Sequence, residues 1–156
     1  MIRSFRLDDI DYIIHSHYDL FNKEFNYDLS FREFVAERVK GIVDRSDRKE
    51  NIWILDIEGK QSGSICITKV NEETAQLGLF LVDPDIRGAG YGQQLIQTAL
   101  DFCKELGFKS IILWTNTEHV SARRMYEQNG FELKETRTET LSNKQLIEEK
   151  WELIIA

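Results

Sequence analysis

With 42% hydrophobic and 30% charged residues in 156, the chain has the composition of one globular domain, residues 1–156. No apolar run approaches the ~20 residues that span a bilayer, and the first residues lack the apolar stretch of a leader, so membrane insertion is not expected and a cytoplasmic setting is. A net charge of −7 argues against nucleic acid as a partner and suits a cationic one such as an amine, while mainly favouring solubility.

Ile2 to Arg6 reads as a short first strand. Ile10, Ile13, Ile14, His17, Phe21 and Phe25 then recur on one face at helical spacing, with Asp8 or Asp9 placed to cap the start. Residues 26–30 break the pattern, and Phe31, Phe34, Val35, Val39 and Ile42 form a second apolar stripe. The charged stretch from Asp44 to Asn51 reads as a surface loop. Ile52 to Ile57 and Ser62 to Val70 flank Glu58-Gly59-Lys60 as a hairpin, and Ala75 to Val82 is a nearly continuous apolar strand. Leu95, Ile96, Ala99, Leu100, Cys103 and Leu106 mark a helix ending at Gly107. Ser110 to Trp114 is a further buried strand, and Ser121 to Gln128 a short helix. Phe131 to Leu141 and Lys144 to Ile155 close the chain as an antiparallel pair turning at Ser142-Asn143. The order β-α-α-β-β-β-α-β-α-β-β predicts a mixed α/β domain. Cys66 and Cys103 fit no metal or redox spacing and are expected as reduced, buried thiols, with no metal site.

The most informative run is V-D-P-D-I-R-G-A-G-Y-G-Q-Q-L, Val82 to Leu95. Glycines between a strand and a helix N-terminus present backbone N–H groups without side chains, which suits a phosphate or pyrophosphate. No Lys follows them, so this is not a Walker A loop, and Gln93 stands where a dinucleotide fingerprint needs its third Gly. What remains is R-x-x-G-x-G, carried by Arg87, Gly90 and Gly92. Downstream, S-A-R-R-M-Y-E-Q-N-G-F at Ser121 to Phe131 has the form A-x-x-x-Y-x-x-x-G-F.

These two motifs, in this order, resemble the GNAT superfamily of N-acetyltransferases. The segments Arg6 to Phe21, Leu113 to His119 and Glu149 to Leu153 further resemble the acetyltransferase halves of bacterial proteins that fuse a MarR-type DNA-binding domain to a GNAT domain. No DNA-binding half is present, so the resemblance implies a free-standing enzyme. It implies a mostly antiparallel mixed sheet of about seven strands flanked by about four helices, acetyl-coenzyme A as co-substrate and an amine as acceptor, and it is compatible with a homodimer. The alternative is a module that binds acyl-coenzyme A without turning it over.

The resemblance implies that Arg87, Gly88, Ala89, Gly90, Tyr91 and Gly92 hold the pyrophosphate. Backbone amides at Leu81 and Val82 would take the acetyl carbonyl and pantetheine arm, with Asn116 and His119 as further contacts. Tyr126 matches the position that protonates the departing thiolate; its bland reading is an aromatic packing a short helix. His119 departs from the family's Asn seven residues before that Tyr. The strand before the glycines, A-Q-L-G-L-F-L-V, has no carboxylate, although deprotonating an amine of pKa ~10.4 at neutral pH costs roughly 4–5 kcal/mol. A water chain, Glu118 and His119 are the candidate bases. His15 and His17 lie ~200° apart on a helix and cannot share a metal. His17 falls on the apolar stripe as a core histidine, yet the resemblance makes His17, Tyr18, Glu24 and Tyr27 candidate substrate contacts.

Overall fold

The computed structural model describes residues 1–141 and 143–156, the side chain of Leu141 excepted. Its strands are β1 (Ile2–Ser4), β2 (Asn51–Ile57), β3 (Lys60–Lys69), β4 (Thr74–Val82), β5 (Ser110–Asn116), β6 (Glu132–Leu141) and β7 (Lys144–Ile154). Its helices are α1 (Ile10–Phe25), α2 (Leu29–Arg45), α3 (Tyr91–Glu105) and α4 (Val120–Gln128). The strands form one seven-stranded sheet in the order β1-β2-β3-β4-β5-β7-β6, antiparallel everywhere except between β4 and β5. The expected turn between the last strands falls partly on Ser142, outside the described residues.

Helices cover both faces, which is why the central strands read as continuous apolar runs and not as an alternation. In β2, Trp53 and Leu55 meet Leu95, Ile96 and Ala99 of α3 on one side. Ile52 and Ile54 meet Ile13 of α1 and Val35, Val39 and Ile42 of α2 on the other. Cys103 belongs to the first core and Cys66 to the second, so the two buried thiols are separated by the sheet. The α1–α2 layer covers β2 to β4 and reaches Leu146 of β7 at its far edge. Among the described residues, no helix is long and apolar enough to cross a membrane, and no group of metal-ligating side chains assembles.

The start of α1 departs from the simple cap expected there. Asp9 makes no side-chain cap to the helix. It is 1% exposed, and its carboxylate accepts two bonds from the Arg3 guanidinium (2.8 and 3.0 Å), one from the Arg6 amide (2.7 Å) and one from Gln61 Nε2 (2.6 Å). The Arg3 bond, reinforced by those amides, holds this carboxyl well below the usual carboxylate range. Asp9 thus pins α1 to β1 and β3. Asp9→Ala leaves the Arg3 charge without its main buried partner, and the expected loss is about 3 kcal/mol of unfolding free energy in urea titrations.

Candidate active site

The site begins where a ladder stops. β4 pairs with β5 only at Thr74↔Ser110, Ala75↔Ile111 and Gln76↔Ile112. Beyond those pairs β5 continues against β7 as far as Asn116, while β4 veers away. The cause is a bulge: β3 advances two residues from Ser64 to Cys66 while β4 advances three, from Gly78 to Leu81. Leu79 is forced to a φ of 48°, which a β-carbon resists by about 1–2 kcal/mol, and Ser64 Oγ donates to its carbonyl at 2.7 Å. Past the bulge the Asp83 amide donates to Ser62 O at 2.9 Å. Alternation along an extended strand then turns Leu81 toward β3 as well, and turns the amides of Phe80 and Val82 toward the opening. Of the two amides expected to face a ligand, Val82 therefore points into the gap and Leu81 does not. Phe80 takes its place. A one-residue bulge is invisible in an apolar run, so the sequence carried no signal for that exchange.

Below the gap the chain enters the glycine loop. Gly88 and Gly90 have φ of 87° and 86°, and no atom lies within 4 Å of where a β-carbon would stand. Backbone conformation, not crowding, requires glycine there, and the space over Gly88, Ala89 and Gly90 is open. No side chain caps α3, whose first turn from Tyr91 points unbonded N–H groups and the positive end of its dipole at that space. Gly92 serves another purpose: a β-carbon would come within 2.9 Å of Met125 Cε, so glycine lets α3 pack against α4. Arg87 is turned away from the loop. Its guanidinium pairs with Glu24 of α1 at 3.1 Å, and its Nε donates to Val82 O at 3.3 Å.

Across the gap lies a cavity of about 500 Å³, bounded by α1–α2 on one side and the β6–β7 hairpin on the other. His17, Tyr27, Asn116, His119, Tyr126 and Phe80 are on its wall; Tyr18, Glu24 and Glu118 are not. Helix α1 ends at Asn26 in the left-handed conformation that Asn tolerates, which turns Tyr27 inward to 0% exposure. Asn116 Oδ1 accepts from the Glu118 amide at 3.0 Å, so its amide nitrogen must face Tyr27, to which it donates at 2.8 Å. Tyr27 O–H is then free to donate to His119 Nε2 (3.2 Å), leaving Nδ1–H to donate to Thr115 Oγ1 (3.2 Å). This order of donors suits an Nδ1–H tautomer of His119, and the Tyr27 hydroxyl also faces the Glu118 carboxylate. Phe21 and Phe25 flank the same ring, with centroids at 5.2 and 4.6 Å.

Burial sets the protonation states. It lowers both His17 and His119 to about 4, so both rings are neutral at pH 7. Burial also raises Tyr27 to about 12 and holds the Tyr126 phenol well above its ordinary value. Tyr126 is 6% exposed between Phe80 and Phe131, and among the described residues its hydroxyl has no hydrogen-bond partner. Glu118 is held by Lys144 Nζ at 2.8 Å, and that ammonium also donates to Phe25 O at 2.9 Å. The expected base Glu118 is thus ion-paired and off the wall, a contact between distant segments that local sequence does not reveal. Arg137 of β6, also unremarked in the sequence, lies 4.1 Å over the Trp114 ring and pairs with Glu139 and Glu148 at the cavity wall.

The family model of the acetyltransferase (GNAT) family matches residues 14–131, and the chain belongs to that family. An uncharacterized N-acetyltransferase of Methanocaldococcus jannaschii is 26% identical over 140 residues, covering 86% of this chain and 61% of its own length. The chain spans less than two-thirds of the curated relatives it first matches. A GNAT acetyltransferase from Staphylococcus aureus Mu50 superposes over 100% of this chain and 99% of its own with a TM-score of 0.83 at 19% identity. The Salmonella typhimurium protein yncA, solved with its cofactor acetyl-CoA, superposes over 100% and 94% with a TM-score of 0.78 at 14% identity. These likenesses establish the GNAT fold.

The two neutral histidines make the fold acid-sensitive. Folded, they protonate near pH 4; unfolded, near 6.5. Between those values the unfolded chain binds more protons, so stability falls as pH drops through that window and levels off below it. The expected loss is about 3 kcal/mol for each ring, read from urea titrations at successive pH values, and His119→Asn removes its share of the slope.

Proposed function

We propose that this chain is an N-acetyltransferase moving the acetyl group of acetyl-coenzyme A to a primary amine by direct attack within a ternary complex. The observation that carries this reading is the parted β4–β5 ladder, which runs from the unpaired amides of Phe80 and Val82 into the open Gly88–Gly90 loop. Acetyl-coenzyme A supplies a thioester-activated acetyl group. The amides of Arg87 to Gly92 and the α3 N-terminus suit its pyrophosphate, and the β4 amides suit the pantetheine arm and a developing oxyanion. The Arg87 side chain pairs with Glu24 at the surface beside this loop. The finer likeness to the acetyltransferase halves of MarR fusions extends the same reading to a subgroup.

Tyr126 acts at sulfur. With a pKa well above that of a thiol, a buried phenol keeps its proton and donates it in a hydrogen bond as negative charge gathers on the leaving group. As the N–C bond forms and the C–S bond breaks, the amine proton leaves through water in the cavity. His119 is too weak a base at pH 7 to hold that proton; it orients Tyr27 and Thr115. His17 and Tyr27 face the acceptor, while Tyr18 and Glu24 stand outside the cavity.

Thiol release from acetyl-coenzyme A across a broad amine panel tests the reading. Turnover is expected, and binding without release for any amine would make the chain a sensor. Tyr126→Phe should lower kcat about tenfold or more while the Kd for acetyl-coenzyme A, from calorimetry, stays within about threefold. Gly90→Ala should weaken that Kd about tenfold, because alanine resists the required φ of 86°.

A further inference from the structure

The buried stripe of α2 is Phe31, Val35, Val39 and Ile42, and Arg38 stands half-buried at its border, next to Val39. Arg38 lies flat on Gly78 of β4. A β-carbon at Gly78 would stand 3.0 to 3.2 Å from Nη2, Cζ and Nε, so the glycine is the space the guanidinium fills. Its Nε is buried without an acceptor, Nη2 makes a long contact to Thr68 Oγ1 at 3.4 Å, and the guanidinium also faces the Cys66 thiol, a weak acceptor. Among the described residues, no carboxylate lies within ion-pair distance of it. The other arginine on the cavity wall, Arg137, is matched by Glu139 and Glu148. On its far side Arg38 borders a shallow groove in which Arg45 and Lys69 are already paired with Glu50 and Glu72.

His17 stands on the same cavity wall. His17 Nδ1 lies 2.8 Å from Ile13 O, and its buried Nε2 has no hydrogen-bond partner of good geometry, with the Leu79 backbone carbonyl on that side of the ring. The wall around Gly78 and Leu79 therefore holds, on α2, a guanidinium with a buried donor that no acceptor meets. Gly78, on which Arg38 lies, precedes Phe80 by two residues on β4, so the guanidinium neighbours the gap on the same cavity wall. A buried donor such as this Nε is costly to leave unmatched, and a ligand's acceptor would meet it.

We infer that the acceptor amine carries a carboxylate a few bonds from its nitrogen, a free α-amino acid being the simplest case, and that Arg38 selects it. This rests on the acetyl transfer proposed above. Arg38 takes the carboxylate in charge-assisted bonds, which brings the nitrogen toward the Phe80 amide along the wall that His17 also lines. A cavity of about 500 Å³ accommodates such a molecule beside the end of the pantetheine arm.

The test compares α-amino acids with the matching amines that lack the carboxyl group, and adds short peptides beginning with Asp. Wild-type protein should show kcat/KM about tenfold or more higher for the carboxylate-bearing member of each pair. Arg38→Gln should bring that ratio within about threefold, chiefly by raising KM for the carboxylate-bearing member. Calorimetric binding of acetyl-coenzyme A by the variant shows that its donor side is intact. Free amino acids turned over, or Asp-initial peptides turned over, each support the carboxylate and identify its source. Preference for the carboxyl-free amines overturns the inference, as does an equal loss on both members in Arg38→Gln. If wild-type protein fails to bind acetyl-coenzyme A, the proposed function fails instead. Recognition is then read from the thermal shift produced by α-amino acids: a rise in wild type that Arg38→Gln abolishes supports the carboxylate site, and no rise overturns it.

Discussion

Everything in the site depends on backbone groups that one strand pair leaves unmatched. A buried N–H or C=O must find a partner, and a sheet normally supplies it in the next strand. Here β4 and β5 share three residue pairs and then part, because the bulge at Gly78 and Leu79 rotates the rest of β4 away. The amides of Phe80 and Val82 are left facing an opening instead of a neighbour. The fold tolerates this because the antiparallel ladders on either side, β3 with β4 and β5 with β7, keep each strand anchored along its other edge.

Much of this was legible in the sequence where the physics is local. Helical spacing put His17 on a buried face and His15 on an exposed one, and the structure has them so, with His15 beside Arg32. The glycine run announced a strand-to-helix loop free of side chains, and the structure adds that Gly88 and Gly90 take positive φ. Gly92 belonged to the same pattern for a different reason, close packing on Met125, which no spacing rule distinguishes. What stayed hidden was set by partners far along the chain. Asp9 reads as a cap and is instead a buried junction for Arg3 and Gln61. Glu118 reads as a base and is held by Lys144, and Arg87 reads as a phosphate ligand and is drawn to Glu24. In each case the charged side chain on a motif is legible, but the counter-charge that it meets in the fold is not.

The aromatic cluster around His119 shows how polar groups survive inside an apolar wall. The chain from Asn116 through Tyr27 and His119 to Thr115 uses each donor once, so a ring with no charge can sit among Phe21, Phe25 and Tyr27 without an unmet hydrogen bond. That order depends on Asn116, whose amide is oriented from below by the Glu118 backbone. The cavity floor is rigid because its hydrogen bonds have a single consistent direction.

The sheet also partitions the molecule. The groups proposed to hold the donor hang from β4, the glycine loop and the first turn of α3, whereas the far wall is built from α1, α2 and the last hairpin. Substitutions on separated surfaces with no shared contacts act nearly independently. A lineage carrying this fold can therefore remodel the far wall, and acquire new acceptors, without relearning how to hold its donor. The Arg87–Glu24 ion pair crosses that divide, but it is exposed, and such pairs contribute roughly 0–1 kcal/mol. The link is weak enough to leave the two halves free to evolve at different rates.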